Sequence, residues 1–181
     1  MFETPPDIAL AEHRAQASNL AAAGVDFLMV ETMPTAVEAS LALRAAVETG
    51  LPSSVGFVCA PQAAGEPVRL LSGETLAEAV ATVGDLGAAA ILVNCAPPDV
   101  ITAALSELAT LTPLPIGGYA NVGQVDDEVG WSPDGSMTGE QYAVHVREWI
   151  DLGARIVGGC CGTHPAHTAA VRAVVDLSTG S

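Results

Sequence analysis

Gly158-Gly159-Cys160-Cys161-Gly162-Thr163-His164-Pro165 follows directly on the largely apolar run at 154–157. Two adjacent cysteines thus sit between glycines at the end of a stretch that reads as a buried strand. A second apolar run, Ile91-Leu92-Val93-Asn94, also ends on a cysteine, Cys95. If both runs are parallel strands, three thiols gather at one rim of a sheet. Three soft thiolates suit Zn²⁺, and a fourth position left open is the mark of a catalytic zinc site. Geometry raises one objection, because successive strand residues point to opposite sides. Both thiols of the pair face one ion only if the backbone leaves the strand after Cys160, and Gly158, Gly159 and Gly162 permit that.

Outward from this stretch, one pattern recurs. A helix over 8–23, with Asp7 as its cap, ends at Gly24 and gives way to a strand over 24–32 that closes on Glu31. Pro34 opens a helix running to Gly50. A strand at 54–59 and a loop at 60–73 follow, then a helix over 74–86 and a strand over 88–95. A helix at 100–109, a strand at 114–120 and a long polar loop at 121–139 come next. The chain ends with a helix at 140–152, a strand at 154–160 and a helix at 164–177. Three joins repeat one "helix, Gly, apolar strand" unit, at Gly24, Gly87 and Gly153. Five alternations of strand and helix call for parallel strands joined by right-handed crossovers. The expected class is α/β, either part of a (β/α)8 barrel or an open doubly wound sheet. No Gly-x-Gly-x-x-Gly follows the first strand, so the dinucleotide-binding version lacks its phosphate loop.

The 181 residues suffice for one domain with a proper core. A formal charge of −15 argues against nucleic acid or an anionic membrane as partner, because the phosphate term would be repulsive. No apolar run is long enough to span a bilayer, and the first residues show no signal-peptide pattern. Four cysteines, two of them adjacent, do not make a disulfide framework, so a reducing, cytoplasmic location is expected.

Polar or reactive residues fall at the carboxyl ends of the expected strands: Glu31, Cys59, Asn94, Cys95, Asn121, Cys160 and Cys161. In parallel α/β folds sites form at that rim. Each residue also has a plainer reading. Cys59 alone is a small buried hydrophobe. Glu31 fits a rim carboxylate near the N-terminus of the next helix. Asn94 and Asn121 either orient ligands or satisfy their own turns. His164 is either a fourth ligand closing a structural site or a surface residue at the start of the last helix. A redox role for Cys160-Cys161 is disfavoured, since redox pairs usually have two intervening residues and no distant third thiol.

Asn94-Cys95 followed by Gly158-Gly159-Cys160-Cys161-Gly162-Thr163 resembles the zinc-dependent homocysteine S-methyltransferases. Gly24-Val25-Asp26-Phe27-Leu28 through Glu31-Thr32, Gly117-Gly118-Tyr119-Ala120-Asn121-Val122-Gly123, and the Trp131 segment agree with it, so the resemblance runs over about 10–175. It implies a (β/α)8 barrel with zinc held by Cys95, Cys160 and Cys161, and homocysteine bound through its sulfur at the fourth position. A methyl group from an activated small-molecule donor then passes to that sulfur, giving methionine. Glu31 is implied as the catalytic and substrate-binding carboxylate that holds the ammonium, with Asn94 and Asn121 orienting substrate. The family's barrel has eight strands and this chain supplies about five, matching strands four to eight. A single domain, 1–181, lacking the amino-terminal strands is therefore expected, completed by the missing barrel half or by another copy as a homo-oligomer. The alternative is a truncated barrel fragment or assembly subunit that binds zinc without catalysing.

Overall fold

The computed structural model describes residues 4–63, 65–126, 130–132 and 137–179. Helix α1 (Pro6–Ala22) leads into alternating elements: β1 (Leu28–Met33), α2 (Ala36–Val47), β2 (Ser53–Phe57), α3 (Leu76–Val83), β3 (Ala90–Asn94), α4 (Pro98–Leu111) and β4 (Ile116–Ala120). Two short strands, β5 (Gln124–Asp126) and β6 (Gly130–Ser132), precede α5 (Gly139–Asp151), β7 (Ala154–Gly159) and α6 (Pro165–Thr179).

The main sheet has five strands in the order β1-β2-β3-β4-β7, and every neighbouring pair is parallel. The order follows the chain without reversal. A doubly wound sheet would reverse at a switch point, so the architecture is the arc of a (β/α)8 barrel. The three glycine joins each adopt positive φ, +86° at Gly24, +87° at Gly87 and +99° at Gly153, where a side chain would strain the turn into the next strand.

Side-chain capping sets several boundaries differently from the sequence expectation. Thr35 accepts a hydrogen bond from the Glu38 N–H, so α2 begins at Ala36 rather than at Pro34. Thr75 and Glu78 form a capping box that starts α3 at Leu76. Asp7 lies inside the first turn of α1, where it favours the positive end of the helix, and Pro5 occupies the N-cap without a side-chain bond. The segment 121–139, read as loop, carries an antiparallel hairpin in which Val125 pairs with Trp131. Residues 127–129 and 133–136 of that segment, like 1–3 of the lead-in, lie outside the described residues.

Alternation along the strands divides the molecule into two faces. Val55, Phe57, Ile91 and Val93 join Leu43, Leu76, Ile101, Leu105, Leu108, Tyr142 and Trp149 in a large core between sheet and helices. The opposite face carries a small patch of Ala90, Leu92 and Tyr119, with Ile156 and Cys160 against it. On that face the Tyr119 hydroxyl of β4 reaches Met29 Sδ (3.3 Å) and Glu31 Oε2 (2.9 Å) of β1. Three strand intervals separate β4 from β1, roughly 14 Å in a flat sheet. The contact therefore requires the sheet to curl toward this face, which becomes the concave inside of the arc. Among the described residues no helix is long and apolar enough to cross a membrane.

Candidate metal centre

The three rim cysteines converge. Beyond Asn94, Cys95 turns out of β3 in the left-handed region (φ +55°), while its N–H still donates to the Tyr119 carbonyl at 3.0 Å. β7 ends at Gly159, and the Cys160 N–H donates to the Ala120 carbonyl at 2.9 Å. The chain then folds back: Thr163 donates to the Cys160 carbonyl through both its N–H (3.2 Å) and its hydroxyl (2.6 Å). Gly162 takes φ +79°, and a Cβ there would run into the Gly123 backbone. This turn lets neighbouring thiols face one point, which a continuing strand forbids.

Cys95 Sγ lies 3.6 Å from Cys161 Sγ, and Cys160 Sγ lies 3.9 Å from Cys161 Sγ. All three sulfurs fall within 4.8 Å of one another. Thiolates bound tetrahedrally to zinc at about 2.3 Å sit about 3.8 Å apart. The donor set and its spacing thus fit a thiophilic divalent ion with little rearrangement. Cys95 and Cys160 are half-buried and Cys161 is exposed, so the cluster opens to one side. Burial, and then hydrogen bonding and proximity to the other two sulfurs, push the Cys95 thiol up to about 12. Burial raises Cys160 as well. A bound cation reverses that preference, because its charge deprotonates the thiols that ligate it.

Glu31 is exposed at the end of β1, on the concave face, and one of its oxygens accepts from Tyr119. Burial and this carboxylate hold the Tyr119 hydroxyl well above its ordinary range, so it stays a donor. Asn94 is fully buried, and its amide binds Thr32 of β1 at both ends. Asn121 Oδ1 accepts from the Gly123 N–H at 2.8 Å, a side chain closing its own turn. His164 does not join the thiol cluster. Its ring packs edge-on against His167, 4.2 Å between centroids, and its N–H donates to His167 Nδ1. Cys59 is buried in the helix-side core, away from this cluster, and burial pushes its thiol up to about 12.

Two tyrosines carry more of the site than the sequence reading assigned. Tyr119 links the cysteine rim to Glu31; its signal was a lone aromatic in the small-residue run Gly117-Gly118-Tyr119-Ala120. Tyr142, fully buried in α5, accepts from the Ala120 N–H (2.9 Å) and donates to the Gly158 carbonyl (2.7 Å), bracing β4 against β7 just below the cysteines. Nothing local in the sequence marks it.

Comparison with known proteins gives the same picture. The homocysteine S-methyltransferase family model matches residues 2–175. A betaine-homocysteine S-methyltransferase of Drosophila melanogaster is 35% identical over 179 residues, covering 91% of this chain and 51% of its own length. Homocysteine S-methyltransferase 1 of Arabidopsis thaliana is 31% identical over 157 residues, 85% of this chain and 47% of its own. The homocysteine methyltransferase MmuM of Escherichia coli, solved in a metallated form, matches with a TM-score of 0.75 at 28% identity, covering 95% of this chain and 53% of that one. The chain spans about half the length of the curated relatives it matches. Its thiol cluster, its singly wound arc and a family match across nearly all of its residues agree: the chain belongs to the homocysteine S-methyltransferase family.

Proposed function

We propose that this chain is the zinc-binding, thiol-activating part of an enzyme that moves a methyl group from an activated donor to homocysteine, giving methionine. The observation that carries the reading is the sulfur triangle of Cys95, Cys160 and Cys161, preformed by segments distant in sequence and open on one side. Zinc held there would lower the pKa of an incoming thiol, so that a nucleophilic thiolate exists at neutral pH.

The chain's own residues supply binding and orientation. Glu31 offers a carboxylate on the concave face for the ammonium of an amino-acid substrate, with one oxygen already fixed by Tyr119. Cys160 packs against the Ala90, Leu92 and Tyr119 patch, so the thiol end and the ammonium end of a substrate fall on either side of one aromatic ring. The apolar patch forms a floor under the space between them. Transfer of a methyl cation to sulfur needs no proton moved to or from carbon, so no general base is required of this rim. A reducing, cytoplasmic setting belongs to the proposal, because it keeps the three thiols unpaired.

The same proposal treats 1–181 as one domain whose sheet is completed from outside. Among the described residues β1 and β7 each have an unpaired edge in the five-stranded sheet, a condition that closed barrels remove. Strands of the amino-terminal barrel half or a second copy would cover these edges and contribute the methyl-donor site. Those open edges also favour a second reading, a zinc-binding assembly subunit without activity of its own. The test is zinc content together with methionine formation from homocysteine, for this chain and for one extended at its N-terminus. The main reading expects one zinc per chain in both, with turnover in the extended form. Zinc without turnover in either supports the subunit reading, and a chain that takes up no zinc under reducing conditions refutes both.

A further inference from the structure

The chain has two non-glycine residues with positive φ, among those described: Thr32 at +62° and Cys95 at +55°. They stand at the carboxyl ends of β1 and β3, with β2 between them. A β-branched residue in the left-handed region is a genuine outlier and persists only where its surroundings hold it. One side chain does so. Asn94, the residue before Cys95, accepts from the Thr32 N–H through Oδ1 (3.0 Å) and donates through Nδ2 to Thr32 Oγ1 (2.7 Å). The amide crosses β2 at Gly56, where a Cβ would stand 2.7 Å from Asn94 Oδ1. The β1–β2 register also slips between Val30 and Met33, so β1 bulges where Glu31 and Thr32 leave the ladder.

We infer that Asn94 is a positioning residue: a buried strut that locks the β1 bulge bearing Glu31 to the turn bearing Cys95, with Gly56 as the gap it passes through. The inference rests on the metal reading above and deepens it. Asn94 touches Thr32 and is fully buried, so it sets the spacing between the carboxylate and the metal ligands rather than meeting substrate. With the amide gone, Thr32 is free to return to an extended conformation, which re-aims Glu31. Cys95 loses the fixed neighbour from which its turn departs.

The test uses the full chain loaded with Zn²⁺ or Co²⁺, in the variants Asn94→Ala, Gly56→Ala, their combination, and Leu105→Ala as a core control. Outer groups that orient metal ligands typically govern affinity by 10–100-fold. Asn94→Ala and Gly56→Ala should each weaken zinc about tenfold and alter the sulfur-to-cobalt charge-transfer absorption. The double variant should be no worse than Asn94→Ala, because an alanine at Gly56 meets no amide once Asn94 is gone. Leu105→Ala should lower the melting temperature while leaving metal affinity and spectrum unchanged. Additive effects in the double variant, or site variants that behave like Leu105→Ala, overturn the inference; should Asn94→Ala fail to fold, Gly56→Ala alone decides it. If the parent chain binds neither metal, the metal reading fails by itself, and arsenite, which captures three thiols together, becomes the probe. Arsenite held as tightly by Asn94→Ala and Gly56→Ala as by the parent chain then overturns the strut.

Discussion

Replacing Cys95 with serine removes one sulfur from the triangle while keeping the size of the side chain and the turn around it. Cys95 is the member of the cluster that joins two distant segments, since its neighbour Cys161 lies 66 residues further on. Apparent zinc-binding energies of about 10–16 kcal/mol in four-ligand sites divide to roughly 3 kcal/mol per ligand. Losing one of three preformed sulfur positions should therefore weaken zinc by about two orders of magnitude. The same number appears as stability. With free zinc buffered at about 100 times the parent Kd, binding stabilises the fold by about 2.7 kcal/mol. For a chain of this size that is roughly 5–11 °C in melting temperature. At the same free zinc the variant is only half-saturated and gains about 0.4 kcal/mol, or 1–2 °C. Competition with a chromophoric chelator gives the affinity, and calorimetry in buffered zinc gives the shift. A Cys95→Ser chain that matches the parent in both measurements would refute the three-sulfur site, whatever its activity.

Other consequences are open to direct measurement. Tyr119→Phe leaves the sulfurs in place but frees the fixed oxygen of Glu31; zinc affinity should hold while homocysteine binding to the zinc-loaded chain, read by titration calorimetry, weakens roughly 3- to 10-fold, a loss of about 1 kcal/mol. Unchanged homocysteine affinity would remove Tyr119 from the site. In the metal-free native chain a thiol reagent should modify the exposed Cys161 first and spare the buried Cys59 until the protein unfolds. Cys59 also carries a pH signature. Below its ordinary value of 9.0 both folded and unfolded chains hold the proton, so its contribution is constant; above it the unfolded chain releases the proton first. Stability should thus fall as pH rises from 9 to about 12, and Cys59→Ala should flatten part of that slope in denaturant titrations. Leu105→Ala, fully buried in the helix-side core, should cost about 2–5 kcal/mol in urea unfolding.

Much of the fold is legible in the chain because local rules and the global architecture agree. Glycines at 24, 87 and 153 end each helix where the left-handed turn requires them, and the apolar runs at 53–57 and 90–94 put Val55, Phe57, Ile91 and Val93 on the helix side and Leu92 on the concave side. The boundaries that moved did so through side chains competing locally for backbone N–H groups, as Thr35 and Thr75 do. The hairpin within 121–139 lies in strands of three residues each, too short for a period-2 signal to stand out. Of the site, the cysteines were readable because the chemistry of a thiol survives without coordinates. The roles of Asn94, Tyr119 and Tyr142 were not: Asn94 and Tyr119 each depend on a residue two or more strands away, and Tyr142 on backbone groups of two strands that flank its helix. Asn94 shows this best: its buried amide is explained only by Thr32 and Gly56, which are 62 and 38 positions earlier.

The two faces of the sheet separate what keeps the molecule folded from what lets it act. Trp149, Tyr142, Phe57 and the leucines of α2, α3 and α4 bury their area between sheet and helices. The concave side holds three small-patch residues, a carboxylate and a ring of thiols at its rim. A half-length arc can therefore keep a complete helix-side core and a complete sulfur triangle while leaving the concave face partly uncovered, with Met29 exposed on β1. Metal binding needs only the former two, whereas methyl transfer also needs a covered cavity to exclude water and seat the donor. The two properties should then respond to different additions. Extending the sheet beyond β1 should raise turnover and homocysteine affinity and leave zinc affinity unchanged; a rise in zinc affinity of more than about tenfold on extension would show that strands added there shape the metal site itself.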